Sequence, residues 1–178
     1  MNLHPLYPAI TAQHVLAECA RELAQRRGFY PGRVAEGRMT QAEADHQLAL
    51  AAAWHQDAQR IAASDYTPAP LAPATHGMTW HARREGLRRE LALRARVYPA
   101  RVAEMRMTQG EADQRRDCLA ALAARYDDGF DWIASNGART RFGLVAASPE
   151  ILTARREWQE HSAAVDAARA PMTQEALL

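Results

Sequence analysis

The feature that most constrains this chain is an internal repeat, in which Thr11–Ala62 recurs as Thr79–Phe130, so that position i corresponds to position i+68. Between Arg21 and Asp45, 18 of 25 positions are identical to their equivalents in the second copy. Over the following 17 positions, His46–Ala62, only two are identical. A uniformly recent duplication would not leave such an abrupt fall in identity between neighbouring segments. We infer that the first part of the repeat has resisted change while the rest has drifted.

Each repeat has the pattern of two amphipathic helices joined by a short bend, which predicts antiparallel neighbours. Thr11 and Thr79 suit helix N-caps. In the first copy, apolar residues then follow at spacings of seven, seven and four, which place them on one helix face, and the last three of them have apolar equivalents in the second copy. The capping-box pattern T-x-x-E opens the second helix at Thr40–Glu43 and again at Thr108–Glu111. Both repeats are therefore expected to fold as helical hairpins.

Near the end of the first helix, the two copies have different residues at Gly37 and Met105 but share a proline, Pro31 and Pro99. Gly37 suits the left-handed conformation that commonly ends a helix, whereas Met105 in the second copy predicts that this end closes differently. Pro31 and Pro99 fall inside the first helix, where proline removes a hydrogen bond and clashes with the preceding turn. Because apolar residues continue beyond each proline, we favour a kinked helix over one that ends there.

The predicted fold class is all-α, and the chain divides into four parts. These are a first hairpin over 1–62, a Pro-rich linker over 63–78, a second hairpin over 79–130 and a C-terminal region over 131–178. In the last region, Ser148-Pro149 predicts a helix start and Pro171 its end, giving a helix over about 149–169. Before this helix, one interpretation is that Phe130, Trp132 and Ile133 finish a helix capped at Gly137, and the alternative is a small β-hairpin that turns at Asn136-Gly137.

Composition limits how this chain is stabilised and where it acts. Only 29 of its 178 residues are Leu, Ile, Val or Phe, so we expect thin cores with alanine-lined helix contacts and a contribution from a partner or from self-association. Cys19 and Cys118 are not equivalent in the repeat, which excludes a duplicated disulfide and favours reduced thiols in the cytoplasm. Met1–Ile10 lacks the features of a secretion signal, and no apolar run is long enough to cross a membrane.

The chain shows none of the motifs that carry catalysis or metal binding. A Gly-rich phosphate loop, an HExxH pattern, a Cys pair and a nucleophile context are all missing. His14 and Glu18 have the i, i+4 spacing of metal ligands, but an obvious third ligand is lacking and His14 aligns with Ala82. We therefore predict a non-enzymatic protein with no metal site and no cofactor.

All of the positive charge is arginine, with 22 Arg, no Lys and a net charge of +1. His81–Arg106 concentrates eight arginines against three glutamates. One interpretation is a solvated face paired with itself, through Glu85–Arg89 and Glu90–Arg94. The other is a face for an acidic protein or for nucleic-acid phosphates. The residues predicted for such a face are Arg83, Arg84, Arg88 and Arg96.

The hairpin tips are a second candidate site, because a proline kink repeated in both copies would present the same charged residues at a fixed angle. We predict partner contacts at Tyr30, Arg33, Glu36 and Arg38 in the first tip and at Tyr98, Arg101, Glu104 and Arg106 in the second. The two tyrosines also have a structural interpretation, in which each ring seals its hairpin.

The repeated motif R-x-x-[VF]-Y-P-x-R-V-A-E-x-R-M-T-Q-x-E-A-D stands here as Arg26–Asp45 and Arg94–Asp113. It resembles a group of small helical-hairpin proteins of bacteriophages and prophages, which typically carry one copy. The resemblance covers the motif in each copy and implies a phage accessory protein that acts in the cytoplasm of a bacterial host. This chain departs from the group by its second copy and its C-terminal region.

These observations lead to one main functional hypothesis and two alternatives. The main hypothesis is a non-enzymatic protein of a phage or mobile element whose two hairpins bind a host macromolecular complex with repeated subunits, such as an inhibitor of bacterial defence of the anti-CRISPR kind. The first alternative is a nucleic-acid-binding accessory protein that uses the arginine-rich helix. The second is a structural protein that completes its thin cores by forming homo-oligomers.

Overall fold

The computed structural model describes residues 2–64, 75–128 and 130. They form strands β1 (Asn2–His4) and β2 (Tyr7–Thr11) and helices α1 (Ala12–Ala35), α2 (Gln41–Ser64), α3 (Trp80–Ala103) and α4 (Gln109–Asp127). The all-α prediction is confirmed, since helices account for most of these residues. The predicted helix over 149–169, the Asn136-Gly137 alternative and most of the linker lie outside the described residues.

The four helices form one packed unit. α1 packs against α2 and α3 against α4, and further contacts join α1 to α4 and α2 to α3. α1 and α3 begin and end at equivalent positions of the repeat, and α2 and α4 begin at equivalent positions. The largest fully buried apolar side chains are Val15, Leu50, Trp54, Leu87, Leu119, Leu122 and Tyr126. Alanines fill much of the remaining core, as the composition predicted, at Ala51, Ala53, Ala58, Ala112 and Ala121.

Every helix begins at a threonine, and these are Thr11, Thr40, Thr79 and Thr108. At α2 the predicted capping box forms, because the Glu43 N–H donates to the threonine hydroxyl at 3.2 Å and the Glu43 carboxylate accepts the threonine N–H at 2.8 Å. Glu111 makes the same pair of bonds at α4, at 3.2 and 2.9 Å. The boxes satisfy donors that a helix start leaves without partners.

Helix α1 ends at Gly37 in the same way that α3 ends at Met105. Both residues have positive φ, 67° for the glycine and 56° for the methionine. In both copies this residue donates its N–H to the carbonyl three residues earlier at 3.0 Å, and the next residue donates to the carbonyl five residues before it at 2.9 Å. The prediction of a different end in the second copy is wrong, because Met105 adopts the left-handed conformation that glycine takes more readily.

Both interior prolines are accommodated without ending the helix. α1 continues through Pro31 and α3 through Pro99. The alternative in which each helix ends near its proline is therefore wrong, because α1 extends beyond its proline to Ala35 and α3 to Ala103, just before Glu36 and Glu104.

An antiparallel strand pair at the N-terminus was not predicted from the sequence. β1 and β2 pair Asn2 with Thr11 and His4 with Tyr7, and both strands contact α4. His4 Nε2 lies 3.1 Å from Oδ2 of Asp128, just beyond the end of α4. Strands this short carry little signal of their own, and their packing against a helix decides their structure.

Candidate functional site

A network of buried ion pairs links α1 to α3. Nε of Arg26 donates to Oε1 of Glu22 on its own helix at 2.8 Å, and its Nη2 donates to Oε2 of Glu90 on α3 at 2.8 Å. Arg94 reverses the arrangement, since its Nε donates to Oε1 of Glu90 at 2.9 Å and its Nη2 to Oε2 of Glu22 at 2.6 Å. The four side chains thus form a closed ring in which each arginine holds one glutamate from each helix.

The two arginines also bind main-chain carbonyls at equivalent positions of the repeat. Nη1 of Arg26 donates to the carbonyl of Gln47 on α2 at 3.1 Å, and Nη1 of Arg94 donates to the carbonyl of Arg115 on α4 at 2.8 Å. Gln47 and Arg115 are themselves equivalent positions of the repeat. Exchanging every residue for its repeat equivalent therefore turns one set of contacts into the other.

The ring explains why the sequence R-E-L-A-x-R is identical at Arg21–Arg26 and Arg89–Arg94. One interpretation of the sequence placed the Glu90–Arg94 pair on a solvated helix surface, because charged pairs at i, i+4 are usually exposed. The exposed fraction of the Arg94 side chain is 2%. The signal that could have revealed this was the identity itself, since a solvated pair has little reason to be retained in both copies.

The two arginines differ in one neighbour, because Arg94 binds a third carboxylate where Arg26 contacts an aromatic side chain. Nη1 of Arg94 also donates to Oε1 of Glu18 at 2.6 Å. The position equivalent to Glu18 is Gly86, and there the Arg26 Cζ lies 4.9 Å from the centre of the Trp54 ring. A Cβ atom on Gly86 would stand 2.9 Å from Cζ2 of Trp54. The missing side chain of the glycine is what leaves room for the indole.

Burial and pairing compete in setting the charge state of Glu22. Burial raises the pKa of its carboxyl group, but the guanidinium groups of Arg26 and Arg94 outweigh burial and hold the pKa below its ordinary value. Glu22 is therefore ionised at neutral pH despite its burial. The ring is an ion-pair network rather than a set of neutral hydrogen bonds.

A second buried cluster surrounds Asp57, whose side chain has no exposed surface. Its carboxylate accepts hydrogen bonds from Nη1 of Arg60 at 2.7 Å, from Oη of Tyr126 at 2.5 Å and from Arg83. His76 Nε2 lies 3.4 Å from Oδ1. Burial raises the pKa of Asp57, but the bonds from His76, Arg83 and Tyr126 outweigh it and leave the pKa below its ordinary value. The cluster joins α2, α3 and α4.

The predicted arginine face is mostly not a surface. Arg83 and Arg84 are buried, where they pair with Asp57 and with Asp127. Arg88 is half-buried, with Nη2 3.5 Å from Oδ1 of Asp127. The prediction that Arg83 and Arg84 face a partner is wrong, because both guanidinium groups neutralise carboxylates inside the protein. Among the four predicted residues only Arg96 is exposed.

The charged residues of the tips are exposed in both copies. Nε of Arg38 lies 3.3 Å from Oε2 of Glu36, and Nε of Arg106 lies 3.1 Å from Oε2 of Glu104. All four side chains are more than half exposed. The other four predicted tip residues are about half-buried, namely Tyr30, Arg33, Tyr98 and Arg101.

The tyrosine of the second tip lies against an arginine of the ion-pair ring. The Cζ atom of Arg94 is 5.5 Å from the centre of the Tyr98 ring. Burial raises the pKa of both Tyr30 and Tyr98. This placement favours the structural interpretation, in which each ring covers one side of its hairpin.

The second tip differs from the first at Met105, whose exposed fraction is 92%. A non-glycine residue in the left-handed region costs about 1–2 kcal/mol, and Gly37 makes the same helix end without that cost. A shallow cavity of about 370 Å³ lies alongside. It is lined by Val102, Met105, Arg106, Met107, Thr108 and Glu111.

Within residues 2–64, 75–128 and 130, no cluster of three or more His, Cys, Asp or Glu side chains is placed to hold a metal ion. None of the four described helices combines the length and apolar character that a bilayer crossing requires.

The structure thus defines an all-α protein with a buried ring of ion pairs between α1 and α3 and an exposed Glu–Arg pair at each tip. Comparison with protein-family models, with curated proteins and with solved structures gives no match to this chain.

Proposed function

We propose that this chain is a non-enzymatic accessory protein of a phage or mobile element, which binds a host protein complex through its two tips. The bound complex is a bacterial defence assembly, so that the protein acts as an inhibitor of the anti-CRISPR kind. The observation that carries the proposal is the retention of the exposed pairs Glu36–Arg38 and Glu104–Arg106 in both copies.

Stability does not account for these pairs. Exposed ion pairs typically contribute about 0–1 kcal/mol, and both pairs lie beyond the helix ends. The neighbouring capping boxes and the buried ring each have a structural role, whereas the exposed pairs have none in the described part of the chain. Contact with a partner is a reason for keeping them.

Two tips on one chain suit a target with repeated subunits. Once one tip is bound, the second meets its site at a raised effective concentration, so that two weak contacts give one strong association. A multisubunit defence assembly offers repeated subunits of this kind. The predicted partner class therefore follows from the duplication together with the resemblance to phage proteins.

The test is an affinity capture from nuclease-treated bacterial lysate with the wild-type chain and four variants of it, read by quantitative mass spectrometry. We expect the wild-type protein to retain a protein complex. Arg38→Glu and Arg106→Glu should each weaken retention, and the double variant should abolish it. Arg96→Glu is the matched control, because this arginine is exposed but lies outside the tips, and it should bind like the wild type.

Either of two results would overturn the proposal. One is a folded wild-type protein that retains nothing above background, and the other is a double variant that retains the same complex. A complex that is retained from untreated lysate but lost after nuclease treatment would favour the nucleic-acid alternative. The defence role is tested separately, by plating phage on an immune host that expresses the protein, where restored plaques are expected and unchanged immunity contradicts an inhibitor role.

A further inference from the structure

The left-handed conformation at position 105 closes α3, but the choice of methionine to adopt it has no cause inside the described part of the protein. The backbone here makes the same two hydrogen bonds as at Gly37. In the first copy the same left-handed turn is made by the residue type that adopts it most readily. A strained residue that the fold does not need indicates a role for its side chain.

The Met105 side chain projects from the tip and leaves a hollow beside it. Leu6, Phe29 and Leu93 are the other large apolar residues exposed in the described part of the chain, and all are less exposed than Met105. The hollow of about 370 Å³ is partly apolar, with Val102 and Met107 in its lining. Methionine is flexible and polarisable, so it fits apolar pockets of varied shape.

The charges around this tip distinguish between classes of partner. Nε of Arg106 lies 3.1 Å from Glu104, and Nη2 of Arg115 lies 3.9 Å from Glu111, so that cations and carboxylates alternate around this tip. A polyanion such as nucleic acid gains little from a surface on which carboxylates stand beside the arginines. A protein surface with an apolar pocket and a rim of mixed charge is complementary to it.

We propose that the second tip is the anchoring contact, in which Met105 enters an apolar pocket of a protein partner while a partner side chain fills the hollow beside it. This inference rests on the proposed function. It assigns unequal roles to the two tips, because the first tip, with Gly37, has only its polar contacts to offer.

The test compares Met105→Gly with the matched variant Gly37→Met in the full-length protein. The probe is the complex that the wild-type chain retains from nuclease-treated lysate, purified and titrated against each variant. Met105→Gly is expected to raise the melting temperature, since it relieves the left-handed strain, and to weaken binding at least tenfold. Gly37→Met is expected to lower the melting temperature without weakening binding.

Two further substitutions separate the side chain from the backbone. Asparagine tolerates the left-handed region but is polar, so Met105→Asn should lose binding as the glycine variant does. Met105→Leu keeps an apolar side chain and should bind within a few-fold of the wild type. Equal binding by the wild type and Met105→Gly would overturn the anchoring role while leaving the proposed function intact. If the wild-type chain retains no complex at all, both proposals fall together.

Discussion

Arg26 and Arg94 occupy equivalent positions in the two repeats, and each binds a glutamate on the helix of the other. Neither arginine is satisfied within its own hairpin. The two hairpins are joined by a charged and reciprocal contact rather than by an apolar seam alone. This arrangement makes the stability of the whole unit sensitive to single charged residues that would be unimportant on a surface.

Replacing Arg94 by methionine is expected to destabilise the fold severely. The change keeps an unbranched side chain but leaves Glu18, Glu22 and Glu90 with fewer partners. Removing one member of a buried ion pair costs about 3–5 kcal/mol. Urea denaturation followed by circular dichroism measures the loss. Arg96→Met, on the exposed side of the same helix, should change the free energy of unfolding by less than about 0.5 kcal/mol. If Arg94→Met also changed the free energy of unfolding by less than about 0.5 kcal/mol, the result would contradict a stabilising network of buried ion pairs.

Stability is expected to fall in acid. The pKa values of Glu22 and Asp57 lie below their ordinary values of 4.5 and 3.8. Their ion pairs therefore contribute stability that is present above those values and is lost as the pH falls through the lowered native pKa values. The free energy of unfolding should decrease between pH 5 and pH 3, and Glu22→Gln should make the decrease smaller. Glu36→Gln, at an exposed carboxylate, should leave the slope unchanged. A stability that is constant over this range would count against ionised buried carboxylates.

Gly86→Ala is expected to destabilise the protein although alanine favours helices. The new methyl group would lie 2.9 Å from Cζ2 of Trp54 and 3.2 Å from Leu50 Cδ1. Overpacking of this kind costs about 1–3 kcal/mol, more than the roughly 1 kcal/mol gained from helix propensity. Thermal melting should show a lower midpoint. The double variant Gly86→Ala, Trp54→Leu should tolerate the alanine, because leucine is smaller than tryptophan. Leucine is also the residue at the equivalent position of the second copy, Leu122.

Gly28→Ala is the matched control for this position. Gly28 lies inside α1, and apart from its chain neighbours and the nearby backbone of its own helix, nothing stands within 4 Å of the place where its Cβ would be. The substitution should raise stability by about 0.5–1 kcal/mol. If both alanine variants shift the melting point in the same direction, the close contact with the indole does not decide the effect.

The thiols of Cys19 and Cys118 are expected to be unreactive in the folded protein. Burial raises the pKa of Cys19, and burial raises the pKa of Cys118 to about 11. The thiolate is the reactive form, and both side chains are free and buried. A thiol reagent such as Ellman's at pH 8 should react with neither cysteine on a timescale of minutes and with both in urea. Rapid modification of the native protein would show that one of these helix contacts opens readily.

Local signals in the sequence predicted the helices and their starts. The capping boxes at Thr40 and Thr108 need only neighbouring residues, so the pattern was sufficient. Glu22 and Arg94 illustrate what was missed, because charged residues at helical spacing indicate a solvated face unless the opposing helix is known. The conformation of Met105 could not be predicted either, because methionine rarely adopts the left-handed region and only the folded structure shows that the turn is the same in both copies.

The reciprocal ring has a consequence for how the two halves have diverged. Two separate hairpins would have to find each other by diffusion, and dilution would part them, whereas a shared peptide chain keeps them together in a fixed one-to-one ratio. In a pair of identical chains, any substitution would appear on both sides at once. Here Trp54 could enlarge opposite Gly86 on one side, while Glu18 supplied an added carboxylate on the other. Covalent linkage thus permitted an asymmetry that symmetrical association forbids, and the unequal tips are a second instance of that freedom.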